Sequence, residues 1–318
     1  MRILITGATG FVGGHLAEAL LAQGGAELHG LCRRAAWPAE WSHLTGSITL
    51  HQADLTDGPA VEAIVRAVRP VQVYHLAGYA HTGRSFSEPA EAWAGNLTAT
   101  LSLYDALARW GGEPRVLAVS SGLVYGDPDP PVPRCDERLP LRPASPYAAS
   151  KAAADLAGYQ YTRHPGLAVV RVRPFNHTGP RQSPQYAVPN FARQIAAIER
   201  GRQPPVLETG DLRPRRDLTD VRDMVTAYRL LMERGRVGEV YNAGRGEAHS
   251  MQEVLDRLLA GSQARVEVRS KAQELRPVDT AVACADSTKL RHETGWGPAY
   301  SLDQTLTDIL DYWRSVTA

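Results

Sequence analysis

The sequence predicts an α/β fold, a doubly wound parallel sheet with a smaller, interleaved C-terminal α/β lobe. Three observations predict it. Apolar runs of strand length alternate with amphipathic stretches through the first half, as when helices cover both faces of a parallel sheet. A glycine-rich turn directly follows the first run, and the texture of the chain changes after Arg173, where Pro174, Pro180, Pro184 and Pro189 interrupt it.

Taken in order, strands are expected at 2–5, 27–32, 48–53, 71–76, 116–120 and 167–172, joined by helical patterns in right-handed crossovers. An amphipathic segment at 191–200 opens the second lobe. A helix pattern at 221–233 then leads into a strand-like run at 239–242 that can return to the main sheet, and helices near 251–259 and 302–313 close the lobe. The two units are therefore expected over 1–172, rejoined by 217–244, and over 173–216 together with 245–318.

Composition sets the bounds. At 318 residues with 43% hydrophobic and 22% charged side chains, the chain is long and apolar enough to bury a sizeable core. A net charge of +1 supplies no field to draw it onto nucleic acid or anionic lipid, so neither partner is expected. Cys32, Cys135 and Cys284 are odd in number and lack metal-ligand spacing, which argues against a disulfide framework or a metal site and for a reducing, cytoplasmic setting. No apolar stretch has the length of a membrane span, and the start of the chain lacks a signal-peptide pattern.

The first turn reads Gly7-Ala8-Thr9-Gly10-Phe11-Val12-Gly13 and opens a helix with Val12, Leu16, Ala19 and Leu20 on one side. Glycines there permit a tight turn and close approach of a pyrophosphate, while the helix N-terminus offers unpaired N–H groups and a positive dipole end. The first unit is accordingly a dinucleotide-binding Rossmann domain, with Gly7, Gly10, Phe11, Val12 and Gly13 as cofactor contacts. The second strand ends in Arg33-Arg34, where an NAD-selective protein usually offers a carboxylate to the adenosine ribose. Guanidinium groups suit a 2′-phosphate, so NADP(H) is the preferred cofactor and NAD(H) the alternative; two solvated surface arginines are the competing interpretation. Asp54 and Leu55 end the third strand where they can border the adenine, and Leu76 and Ala77 end the fourth where ligands of open sheets gather; ordinary turns are the competing interpretation of both.

The fifth strand runs into Ser120-Ser121-Gly122, and the following helix pattern carries Tyr147 and Lys151 four residues apart. That spacing puts phenol and ammonium on one helix face, where the positive charge favours phenolate and is expected to lower the tyrosine pKa. Ser121 can add a hydrogen bond to the same substrate oxygen, and the three together make a carbonyl-reduction site.

The segments GATGFVGGH, SSGLVYG and YAASK together resemble the extended short-chain dehydrogenase/reductase family, the nucleotide-sugar epimerases, dehydratases and reductases. The resemblance spans essentially the whole chain and implies Ser121, Tyr147 and Lys151 as the catalytic trio. It also implies Lys151 on the nicotinamide ribose, with Asn96 and Pro174 near the cofactor. RPFNHTGPRQ, RRDLTDVRD, ELRPVD and TGWGPAYSL look most like the GDP-4-keto-6-deoxymannose reductases. For the nucleotide diphosphate the resemblance implies Asn176 on the pyrophosphate, Arg216 and Arg276 as phosphate clamps and Asp279 on ribose hydroxyls. Ion pairing of the two arginines with neighbouring Asp217 and Asp279 is the competing assignment. Arg193 is a candidate for the guanine, with a solvated helix face as the competing interpretation, while His177 and Tyr186 can touch sugar or cofactor but stay outside the catalytic set.

Related dehydratases place an acidic residue within two positions after the catalytic hydroxyl; here those positions are Gly122 and Leu123. Without that base, dehydration lacks a group to take the C5 proton. The expected reaction is NADP(H)-dependent reduction of a 4-keto-6-deoxy nucleotide sugar, GDP-4-keto-6-deoxy-D-mannose to GDP-D-rhamnose, with the proton from Tyr147. A sugar-nucleotide 4-epimerase holding NAD tightly and a non-catalytic dinucleotide-binding sensor are the alternatives. Relatives commonly form homodimers through helices that here begin near Pro89 and Pro146.

Overall fold

Parallel strands need apolar residues on both faces, and the computed structural model, which describes residues 1–270 and 280–317, buries them so. Its strands in chain order are β1 (Arg2–Thr6), β2 (Glu27–Cys32), β3 (Thr49–Gln52), β4 (Gln72–His75), β5 (Arg115–Val119), β6 (Ala168–Pro174), β7 (His177–Thr178), β8 (Val206–Thr209), β9 (Arg215–Asp217), β10 (Thr219–Asp220), β11 (Val240–Ala243), β12 (Ala248–Ser250), β13 (Glu267–Ser270) and β14 (Val282–Ala283). Seven of them form one parallel sheet in the order β11-β6-β5-β4-β1-β2-β3. The order reverses direction between β1 and β4, the switch point beside which open α/β sheets bind ligands.

The helices are α1 (Phe11–Gln23), α2 (Gly58–Val68), α3 (Pro89–Trp93), α4 (Ala99–Trp110), α5 (Pro146–Arg163), α6 (Ala187–Glu199), α7 (Val221–Arg234), α8 (Met251–Ala260), α9 (Thr288–Thr294) and α10 (Leu302–Val316). On one face of the sheet, Leu16 and Leu20 of α1 and Met224, Tyr228 and Leu231 of α7 pack with Ile3 and Ile5. On the other, Val61 and Val65 of α2 and Leu103 and Leu107 of α4 pack with Leu4 and Val73. A separate core holds α6, α8 and α10 together through Phe191, Ile195, Val254, Leu255, Leu306 and Ile309.

Strand positions follow the apolar runs, with ends displaced by a residue or two where the ladder outlasts the pattern. The run expected to stop at 172 continues to Pro174, because β11 pairs alongside it as far as Pro174↔Ala243. The two-residue pair β7–β10 and the small sheet β12-β9-β14 have no counterpart in the sequence pattern. Between α3 and α4 the chain makes a π-helical turn over Ala94–Thr98 that carries Asn96. Such a turn inserts a residue into the helical phase and is common at functional sites. Among the described residues no helix is long and apolar enough to cross a membrane.

Candidate active site

The glycine-rich turn is built by exclusion of side chains. Gly7 has φ +71°, and a Cβ on it would stand 3.0 Å from the Ala77 backbone; one on Gly13 would stand 2.2 Å from the Gly7 carbonyl oxygen. Gly10 is the N-cap of α1 and supplies no capping side chain, so the first-turn N–H groups of a 13-residue helix stay available at the turn. These features open a cleft of about 1900 Å³ lined by Gly7, Gly10, Phe11, Val12 and Gly13. A backbone cradle with free N–H groups fits the pyrophosphate of a dinucleotide.

At one end of the cleft lie Arg33, Arg34, Asp54 and Leu55, and Leu76, Ala77 and Pro174 also line it. Arg33 and Arg34 are exposed. Asp54 accepts hydrogen bonds from the Thr56 amide at 2.8 Å and hydroxyl at 2.7 Å, which hold its carboxyl below the usual range, with Arg33 adding to the effect. The Ala77 amide donates to Thr6 Oγ1 at 3.1 Å. Thr6 and Thr100 flank the buried His75 at 2.8 and 2.9 Å, and burial pushes that imidazole down to about 3, so it stays neutral.

Asn96 does not line the cleft. It is buried behind Gly78, where a Cβ would stand 2.6 Å from Asn96 Oδ1 and 3.1 Å from Lys151 Nζ. Its Nδ2 donates to Ser150 Oγ at 2.9 Å, so it braces the helix that carries Tyr147 and Lys151.

That helix, α5, starts where Ser145 Oγ accepts from the Ala148 amide at 3.1 Å and Pro146 occupies the first turn. The cap sets the helical phase that turns Tyr147 and Lys151 into the cleft with Ser121. Ser121 N-caps a 3₁₀ turn over Gly122–Tyr125, its Oγ accepting from the Leu123 amide at 3.2 Å. Lys151 Nζ donates to the Val119 carbonyl at 3.1 Å.

The electrostatics reverse the expectation for the phenol. Burial pushes Tyr147 up to about 12, and its hydrogen bond with Ser121 opposes this only in part. Burial also lowers Lys151 to about 8. Helical spacing does not encode desolvation, which favours the neutral form of both groups. Tyr147 is therefore a protonated phenol across the neutral range, suited to giving a proton rather than taking one.

Asn176 and Arg216 line the same cleft. Arg216 Nη1 donates to the Thr280 carbonyl at 2.7 Å and the Arg215 carbonyl at 2.9 Å. Asp217 instead accepts the amides of Arg245, Gly246 and Ala285. Arg193 is not brought to the cleft: its Nη2 donates to Asn190 Oδ1 at 3.1 Å, one turn back on α6. Arg276 and Asp279 lie outside the described residues. Among the described residues no group of histidine, cysteine or acidic side chains has the arrangement of a metal site.

The sequence assigns Leu123 and Phe175 no contact and keeps His177 and Tyr186 out of the catalytic set, and all four line the cleft. Tyr186 stacks on His81 across it, ring centroids 6.2 Å apart at 14°. A lone aromatic or imidazole beside prolines carries no pattern that separates a cleft wall from a packed turn.

Comparison with known proteins follows the same lines. The family model for GDP-mannose 4,6 dehydratase matches residues 4–309. The chain is 33% identical over 315 residues to the GDP-6-deoxy-D-mannose reductase of Pseudomonas aeruginosa, covering 99% of this chain and 97% of that one. Among solved structures it is similar to RMD from Pseudomonas aeruginosa complexed with NADPH, at 32% identity, a TM-score of 0.84 and 99% coverage of both chains. The UDP-glucose 4-epimerase of Thermus thermophilus in complex with NAD is likewise similar, at 32% identity, a TM-score of 0.88 and 99% coverage of both.

Proposed function

This chain belongs to the GDP-mannose 4,6-dehydratase family, and from that premise we propose that it is an NADP(H)-dependent reductase of a 4-keto-6-deoxy nucleotide sugar, converting GDP-4-keto-6-deoxy-D-mannose to GDP-D-rhamnose. The observation that carries this reading is a missing acid. Leu123 presents an apolar side chain to the cleft, and a Cβ on Gly122 would stand 2.7 Å from the Phe175 ring, so neither position offers a base for dehydration. Protonated Tyr147 and its partner Ser121 remain, and reduction requires only these.

A bound nicotinamide supplies the hydride. Tyr147 Oη gives its proton to the C4 oxygen as negative charge develops there, and the Ser121 hydroxyl donates a hydrogen bond to the same oxygen. Lys151, in its ammonium form, stabilises the phenolate left behind and holds the nicotinamide ribose, with Asn96 bracing its helix. Gly7, Gly10, Phe11, Val12 and Gly13 cradle the cofactor pyrophosphate. Arg33 and Arg34 take the 2′-phosphate, and the NADPH of the similar Pseudomonas protein supports that preference. Asn176, Arg216, Arg276 and Asp279 hold the nucleotide diphosphate. The dinucleotide-binding unit is assigned to 1–172 with 217–244, and the nucleotide-sugar lobe to 173–216 with 245–318.

A homodimer is part of the same reading. Trp93 on α3 and Leu156 and Tyr159 on the neighbouring α5 are 40%, 57% and 47% exposed. Cytoplasmic residence accords with three free cysteines. The likeness to an NAD-bound 4-epimerase favours one other reading, C4 epimerisation on retained NAD. An assay of NADPH oxidation against GDP-, CDP- and dTDP-linked 4-keto-6-deoxy sugars separates them: consumption of NADPH with the GDP sugar supports the reductase, and epimer interconversion without net NADPH use overturns it.

A further inference from the structure

Arg173 is a buried charge that the chemistry above does not use, and its nitrogens face two different parts of the site. Nε donates to Asp155 Oδ2 at 2.9 Å and Nη2 to Asp155 Oδ1 at 3.1 Å, while Nη1 donates to the Tyr125 hydroxyl at 2.8 Å. That hydroxyl in turn donates to Asn242 Oδ1 at 2.8 Å, and Asn242 Nδ2 donates to the Cys135 carbonyl at 2.8 Å. Asp155, Arg173, Tyr125 and Asn242 are all buried, and none of them lines the cleft.

What this chain of bonds holds follows from where its members stand. Asp155 lies one helical turn beyond Lys151 and two beyond Tyr147, on the same side of α5. Tyr125 closes the 3₁₀ turn that Ser121 caps. Arg173, on β6, therefore ties the helix that carries Tyr147 and Lys151 to the turn that carries Ser121. Arg171 also donates to Asp155, at 2.7 Å, but its other contact is the Gly238 carbonyl. Among the described residues only Arg173 joins the two sides.

Taking an ion pair out of water costs about as much as its attraction contributes, so stability alone does not account for this one. A guanidinium is a planar fork with fixed donor directions, and it sets the places of two partners at once, as a flexible ammonium does not. Geometry is what the site needs, because two hydroxyls serve one oxygen.

We propose that Arg173 is a positioning residue: by gripping Asp155 and Tyr125 together, it sets the separation of the Ser121 and Tyr147 hydroxyls that meet at the substrate oxygen. The proposal rests on the shared-oxygen reading above and is independent of the sugar and its nucleotide.

The test uses Tyr125→Phe, which deletes one hydroxyl of the tie and leaves the ring against Arg173 and Phe175. Single-turnover reduction by NADPH is measured in this variant, in Ser121→Ala and in the double variant. Tyr125→Phe alone should slow the reaction by about tenfold with ligand affinities unchanged, within the roughly 10²-fold that a misplaced group can cost. In the Ser121→Ala background it should cost less than about twofold, since no hydroxyl is left to misplace. Arg173→Lys, which keeps a charge opposite Asp155 and loses the fork, should repeat the pattern and serves where Tyr125→Phe does not fold. The ¹³Cζ resonance of Tyr147, identified by its absence in Tyr147→Phe, reads the contact with Ser121 without substrate. It should shift in Tyr125→Phe in the direction in which Ser121→Ala shifts it. Equal losses in both backgrounds, an unaltered rate in both, or a Tyr147 resonance unmoved by Tyr125→Phe overturns the proposal. A wild type that reduces no keto sugar while the resonance still moves overturns the reduction reading and leaves the tie between the two hydroxyls standing.

Discussion

The Phe175 ring packs against the Gly122 backbone so closely that a Cβ there would stand 2.7 Å from Cδ2. The serine-bearing turn and the segment that leaves β6 are thus keyed together at a position that admits no side chain. Gly122→Ala is expected to destabilise the protein by about 1–3 kcal/mol through overpacking. A urea titration should show the midpoint falling, and a compensating Phe175→Leu change should restore part of it. An unchanged midpoint in the single variant would show that the ring moves freely.

Lys151 gives the reaction a pH limb. Its ammonium loses its proton near 8 in the folded protein instead of 10.5. For a base with a depressed folded pKa, the fold binds fewer protons than the unfolded chain between those values, so stability rises with pH across that window. Activity runs the other way. Reduction uses the ammonium to stabilise the phenolate, so kcat/KM should fall as pH rises through about 8. Lys151→Arg should displace that limb upward, because a guanidinium does not deprotonate in this range. A profile flat to pH 10 in the wild type would remove the lysine from the chemistry.

Cofactor choice should reside in Arg33 and Arg34. Each charge-assisted hydrogen bond to a phosphate is worth about 1.5–3 kcal/mol, so Arg33→Ala, Arg34→Ala is expected to weaken NADPH binding by roughly tenfold or more. NADH binding should change little. Fluorescence titration of both cofactors reads the ratio, and a ratio unmoved by the double substitution contradicts the assignment.

Gly13 tests the cradle. A methyl group there meets the Gly7 and Ala8 carbonyls at 2.2 and 2.6 Å, which are backbone atoms with little room to give. Gly13→Ala should abolish dinucleotide binding in calorimetry even where the circular dichroism spectrum is retained. Binding at wild-type affinity would mean that the turn relaxes without loss.

Much of this architecture was legible in the sequence because parallel strands announce themselves as apolar runs. Arg2–Thr6 followed by Gly7 and Gly10 specifies a strand, a turn and a helix N-terminus by sterics alone. Ser121, Tyr147 and Lys151 were legible as candidates because each has a fixed offset from a strand end or a helical partner, and the fold brings them to one cleft. What escaped depends on three dimensions. The phenol pKa is set by burial, which spacing does not encode. Arg193 was assigned to a ligand from its place on a helix, yet it turns to Asn190 on the same helix. Asn96 supports the site from behind because a π-helical turn shifts its phase.

The central claim is that a protonated Tyr147 delivers its proton to a ketone. The most direct measurement is single-turnover reduction of GDP-4-keto-6-deoxy-D-mannose by NADPH, with wild-type protein and Tyr147→Phe at matched cofactor occupancy. The account predicts a loss of about 10²–10⁴-fold in rate with ligand affinity unchanged. Turnover in Tyr147→Phe equal to that of the wild type would contradict it.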